Sequence, residues 1–190
     1  LRIRNTAVTT KGTIVVSSAT GVAIRNIIVE SGNSNASGGN IEFRVGNNNL
    51  FLTTPCSFDT VANCILTNNK IATLPDGIPA CAGVYSLGAT NVYNNNIVIT
   101  DNEVSNFTTA GMGVVGNNGD GFVITGNSFF YDLGFVPNIT GTVQGIVFIP
   151  GSFSSGNNIS NNFIGGSLPN ALGSPMVNPN NMGFNGIRVN

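Results

Sequence analysis

The chain has 190 residues and a formal charge of -1, and only 8% of its residues are charged, against about 25% in an ordinary soluble domain. Seven basic and eight acidic side chains set up no field that gathers phosphates or an anionic membrane, so nucleic acid is excluded as an expected partner. The polar surface must be built from amides and hydroxyls, for which 31 Asn and 25 Gly supply much of the material. The length suits one domain, or one segment of a longer elongated protein.

At the N-terminus Leu1-Arg2-Ile3-Arg4-Asn5 alternates like a strand and carries no secretory leader pattern. Strand-like runs follow, more loosely, at 13–16, 22–29 and 41–45. Cys56 and Cys81 each come after a proline, Pro55 and Pro79, and Cys64 lies between them. Three cysteines are too few for a disulfide framework and lack the paired spacing of a zinc site. Two states stay open: a Cys56–Cys81 bridge in an oxidising compartment, or three buried thiols.

From residue 65 onward a unit recurs. Ile65-Leu66-Thr67-Asn68-Asn69, Val98-Ile99-Thr100-Asp101-Asn102, Val123-Ile124-Thr125-Gly126-Asn127 and Asn158-Ile159-Ser160-Asn161-Asn162 all place a hydroxyl two positions before an Asn. The Asn residues are spaced by 33, 25 and 35, in the range where a period signals a solenoid or propeller. A second unit recurs out of phase, each time led by glycine: Gly83, Gly111, Gly145 and Gly186. Strands of three to five β-branched or aromatic residues between Gly, Asn and Pro clusters exclude a helical fold. Residues 133–187 contain no charge, but their apolar runs stop at about four residues where a spanning helix needs about 20, so no membrane insertion is expected.

The pattern predicts an all-β chain, a right-handed parallel β-helix of about five to six coils running over residues 1–190, as a segment of a longer protein. Equivalent side chains then stack about 4.8 Å apart. Asn69, Asn102, Asn127 and Asn162 are expected to form an amide column, each satisfying the next without charge. Thr67, Thr100, Thr125 and Ser160 are expected to form a hydroxyl column beside it.

These Ile-Thr-x-Asn units resemble the repeats of the pectate-lyase-like superfamily, which includes surface adhesins, phage tailspikes and polysaccharide lyases. The resemblance covers about residues 60–165 and implies the scaffold without fixing an activity. Hydrolases of that superfamily use clustered Asp with a His-bearing loop. This chain has no histidine and no adjacent pair among its eight carboxylates, and glycoside hydrolysis needs two acting together. Lyases of the superfamily hold calcium on acidic residues; Asp101, Glu103 and Asp120 are the candidates, read as solvated turn carboxylates since calcium takes six to eight oxygens. Gly111 to Gly116 spells G-x-G-x-x-G, but a turn follows where a dinucleotide site needs a helix. Asn35, Asn106, Asn138 and Asn158 each begin an Asn-x-Ser/Thr sequon.

No catalytic residue, metal ligand or cofactor is assigned. Tyr85 and Tyr93 are read as surface contacts for carbohydrate. The expected role is a non-catalytic structural or adhesive segment, extracellular or on a cell surface, joined at its open solenoid ends by other chains or copies of itself and meeting carbohydrate on its faces. The alternative is a polysaccharide lyase whose site lies in loops or outside this segment.

Overall fold

Runs too short to cross a sheet alone, each ended by a residue that tolerates a sharp bend, favour a chain that turns every few residues and stacks on itself. The computed structural model describes residues 1–5, 12–31, 39–45, 54–68, 81–136, 141–152, 154–177 and 183–190. The chain winds as a right-handed parallel β-helix, three strands to a coil. The first coil is β1 (Arg2–Asn5), β2 (Ile14–Ser17) and β3 (Ala23–Arg25). The second is β4 (Ile28–Ser31), β5 (Ile41–Arg44) and β6 (Thr60–Ala62), and the third β7 (Ile65–Asn68), β8 (Val84–Leu87) and β9 (Val98–Thr100). The fourth is β10 (Glu103–Ser105), β11 (Ala110–Val115) and β12 (Val123–Thr125). The fifth is β13 (Ser128–Phe130), β14 (Thr142–Ile149) and β15 (Asn158–Ser160); β16 (Phe163–Ile164) and β17 (Gly183–Val189) begin a sixth.

Every third strand joins the same sheet. Sheet 1 is β1-β4-β7-β10-β13-β16, sheet 2 is β2-β5-β8-β11-β14-β17 and sheet 3 is β3-β6-β9-β12-β15. All strand pairs in these sheets are parallel.

In-register stacking puts like on like inside the coils. Val29, Leu66, Val104 and Phe129 line the interior from sheet 1, Ile41, Val84, Met112 and Ile146 from sheet 2, and Val61, Ile99 and Ile124 from sheet 3. Each of these is fully buried. At about 25 cal/mol per Å² of apolar surface removed from water, such columns are the main stabilising term.

The glycine-led units have a steric cause. A Cβ on Gly111 would lie 2.4 Å from Phe129 Cδ1 and 2.6 Å from the Gly145 carbonyl oxygen. One on Gly145 would lie 2.6 Å from the Gly186 oxygen, and one on Gly83 would lie 2.9 Å from that of Gly111. The entry to sheet 2 thus passes too close to the next coil for any side chain.

Candidate functional site

Where sheet 3 turns into sheet 1, each coil bends over two residues. The first has left-handed backbone: Asn26, Asn63, Asp101, Gly126 and Asn161 have φ of 56°, 53°, 54°, 69° and 54°, a region that Asn, Asp and Gly reach most readily. The second turns its side chain into the coil. There Asn102 donates through Nδ2 to Asn127 Oδ1 at 2.9 Å, and the Asn102 backbone N–H donates to the same oxygen at 3.1 Å. Asn127 repeats both bonds to Asn162 Oδ1, at 3.0 and 3.1 Å. The remaining amide hydrogens are taken by carbonyls: Asn127 Nδ2 reaches Ile99 at 3.0 Å and Thr125 at 3.2 Å. The column therefore satisfies backbone donors that the bend strips of partners.

Below Asn102 this column holds Cys64, not Asn69. The Cys64 N–H donates to Asn102 Oδ1 at 3.0 Å, and its thiol points to the Ala62 and Ile24 carbonyls at 3.3 and 3.6 Å, the thiol counterpart of the Asn127 bonds. Asn69 lies outside the described residues. The repeat unit of the third coil's approach is accordingly Thr60-Val61-Ala62-Asn63-Cys64, in register with Val98-Ile99-Thr100. Thr67 must be moved as well: it pairs with Ser105 on sheet 1, whose hydroxyl donates to it at 3.0 Å. Thr100, Thr125 and Ser160 do stack in register on sheet 3, with the Thr125 and Ser160 hydroxyls 3.4 Å apart.

Two further corners carry amides that periodicity did not single out. At the corner between sheets 2 and 3, Asn94 Oδ1 accepts from the Cys56 N–H at 2.9 Å and its Nδ2 donates to the Phe43 carbonyl and the Ser86 hydroxyl, both at 3.2 Å. Ser86 in turn donates to Asn118 Oδ1 at 2.7 Å. At the corner between sheets 1 and 2, Asn40 Nδ2 lies 3.3, 3.1 and 2.8 Å from the Val29, Thr67 and Ala82 carbonyls. Buried polar groups satisfied in this way rigidify a coil without introducing charge.

No bond joins Cys56 to Cys81: all three cysteines are buried thiols. The reason is placement on opposite faces of sheet 2. Cys56 belongs to the interior, its thiol 3.4 Å from the Val16 and Arg44 carbonyls. Cys81 packs in a second apolar cluster with Tyr85, Ala110, Val115 and Val147. Burial pushes the Cys56 thiol above its ordinary pKa, with the neighbouring Asp59 adding to the rise.

The same second cluster corrects the reading of Tyr85. Its ring is fully buried, with the Arg44 guanidinium 5.9 Å from the ring centre and Glu42, its register partner, bonded to Arg44 at 2.5 Å. Tyr85 is thus no surface contact, whereas Tyr93 is partly exposed. Phe107 and Tyr131 are interior rings with centres 5.0 Å apart, and burial pushes the Tyr131 phenol well above the usual range. Apolar side chains are exposed elsewhere, among them Leu133 and Val136 after β13 and Leu168 and Leu172 after β16.

Among the described residues the acidic side chains do not assemble. Among the described residues no three His, Cys, Asp or Glu side chains could hold one metal ion. Asp101 accepts from Thr100 Oγ1 at 2.9 Å, and Asp120 accepts from the Ser155 N–H and hydroxyl at 2.6 and 2.9 Å. The Gly111–Gly116 sequence is mostly β11 strand, and the residues of β11 are buried between β8 and β14. Of the sequons, Asn35 and Asn138 lie outside the described residues. Asn106 is engaged by Asp132 at 2.6 Å, and its Thr108 is buried. Asn158 stands exposed on β15. Compared with known proteins, the chain matches no family model, no curated protein and no solved structure.

Proposed function

We propose that the chain is a non-catalytic structural or adhesive β-helix segment of an extracellular or cell-surface protein, pectate-lyase-like in its repeats. Its last coil receives further chains or copies of itself, and its side loops meet carbohydrate. The observation that carries this reading is the contrast between β14 and β17. Val143, Ile146 and Phe148 are 1%, 0% and 5% exposed, while their register partners Phe184, Ile187 and Val189 are 41%, 46% and 62% exposed. Within these 190 residues β17 is the last strand of sheet 2, so this face is there for whatever stacks on it, a further coil of the same protein or another chain. Beside it runs a seven-residue strand edge, the kind of template on which another strand adds.

Support for an extracellular setting comes from the amide-and-hydroxyl surface with 8% charged residues. Support for contacts through side loops comes from Leu133, Val136, Leu168 and Leu172, which leave consecutive coils at the same corner. Sedimentation velocity over a range of concentrations tests the reading. The expected result is a mass that rises with concentration, with Val189→Lys holding the chain as a monomer. A chain that stays monomeric throughout, or steady release of unsaturated product from an acidic polysaccharide in the presence of calcium, overturns it.

A further inference from the structure

Asp59 enters β6 at the corner between sheets 2 and 3, and its side chain is fully buried. Its Oδ1 accepts from the Val22 N–H of the coil below at 2.7 Å, while Oδ2 is buried without a hydrogen-bond partner. The strands above repeat this corner. The carbonyls of Val22, Asp59, Ile97 and Phe122 each accept from the residue opening the next coil's sheet 3 strand, so these four positions are equivalent. The fifth is Asn157, whose Oδ1 accepts from the Phe122 N–H at 2.9 Å. That is the Asp59 bond made by an uncharged amide. Three of the five corner residues are apolar and one is an amide; the position is built for a neutral side chain.

Among the described residues, charges that could hold a carboxylate here are turned elsewhere. Arg25, at the end of β3, is exposed on the outer face, and Arg44 on β5 is bonded to Glu42. β2, β6 and β9 carry no titratable residue, Asp101 beyond β9 is exposed, and residues 46–55 contain no charge. Among the described residues, the titratable group facing Asp59 is the buried Cys56 thiol. A carboxylate with one oxygen buried and unpaired costs several kcal/mol, which favours the protonated form over the charged one. Burial accordingly pushes the Asp59 carboxyl above its ordinary value of 3.8, against the opposing pull of the Val22 and Gly21 backbone.

We propose that Asp59 is a pH latch: as an un-ionised carboxylic acid it closes the corner joining the first two coils, and its ionisation loosens them. The folded chain binds this proton more tightly than the unfolded chain does. Its contribution is therefore fully present below the unfolded value of 3.8 and is lost as pH rises through the raised folded value. Most native carboxylates act in the opposite sense, since they are stabilised in the charged form.

The test is thermal unfolding of the full chain from about pH 4 to about pH 8, with Asp59→Asn alongside, and amide exchange at Val22 as a local reporter. Asp59→Asn keeps the acceptor for Val22 and removes the ionisation. The expected result is that the variant melts at least about 2–4 °C above the parent at neutral pH and that the difference closes in acid. Val22 exchange, corrected for its intrinsic pH dependence, should speed up at least about tenfold in the parent across that range and stay constant in the variant. Superimposed melting profiles, or pH-independent protection of Val22 in the parent, overturn the proposal. Should the variant fail to fold, the Val22 profile of the parent decides alone.

Discussion

Asn127 sits between two amides and two coils, and its removal strands several groups at once. Its Oδ1 takes both the N–H and the side-chain amide of Asn102, and its Nδ2 serves two carbonyls. Each buried group left unsatisfied costs about 1–3 kcal/mol. Asn127→Ala is therefore expected to destabilise the chain by about 3 kcal/mol or more in urea unfolding, while Asn158→Ala, exposed on β15, stays within about 0.5 kcal/mol. Equal losses for the two would mean that the column contributes nothing beyond ordinary surface amides. The column was legible at Asn102, Asn127 and Asn162 because their neighbours recur with them. It was misread one coil lower, where Cys64 and Ala62 replace Asn and Thr while Ile65-Leu66-Thr67 imitates the unit a strand later. A thiol that accepts and donates weakly can fill a ladder site, and nothing in its letter announces it. The Asn94–Asn118 pair escaped for another reason: the connections on either side of it vary in length, so no fixed spacing marks it.

At the scale of the strand, the glycines of sheet 2 were visible as a repeat, but their steric role depends on how close the next coil lies. Gly111 has Phe129 and the Gly145 carbonyl within 2.6 Å of an added Cβ, whereas Gly186, on the last coil, has only Ile164 Cδ1 at 3.8 Å. Neither glycine has positive φ, so backbone strain does not separate them. Gly111→Ala should thus cost about 1–3 kcal/mol through overpacking, and Gly186→Ala should be neutral within about 0.5 kcal/mol. Melting temperatures of the two variants check this; a Gly186 variant as damaged as the Gly111 variant would show that the last coil is covered. Tyr85 marks the limit of such strand reasoning. Alternation tells that its ring faces away from the coil interior, but a period of two cannot say whether that outer face is wet. Here it is packed against Cys81, Ala110, Val115 and Val147, neighbours supplied in part by other coils.

Across the whole molecule, each coil touches only the one before and the one after, so stability is a sum of coil terms and nearest-neighbour terms. The ends are poor in the second kind. β1 and β17 each have a partner on one side only, and the interior column is open at Phe184, Ile187 and Val189. In the middle, Ile99, Met112 and Ile124 are fully buried between neighbours above and below, and the amide column links the fourth coil to the two beyond it. Native-state amide exchange should therefore rank the coils: strands β8 to β14 most protected, β1 and β17 least, with a gradient of opening free energies between them. Association through the last coil would reverse one end of that ranking. At a concentration where the chain assembles, β17 gains protection, while β1 is protected only if its own face is engaged. Uniform protection from end to end in the dilute monomer would instead mean one cooperative unit, in which no edge opens before the whole. The exchange profile thus reads the architecture and the proposed assembly in a single measurement, because in a solenoid an edge is where both unfolding and binding begin.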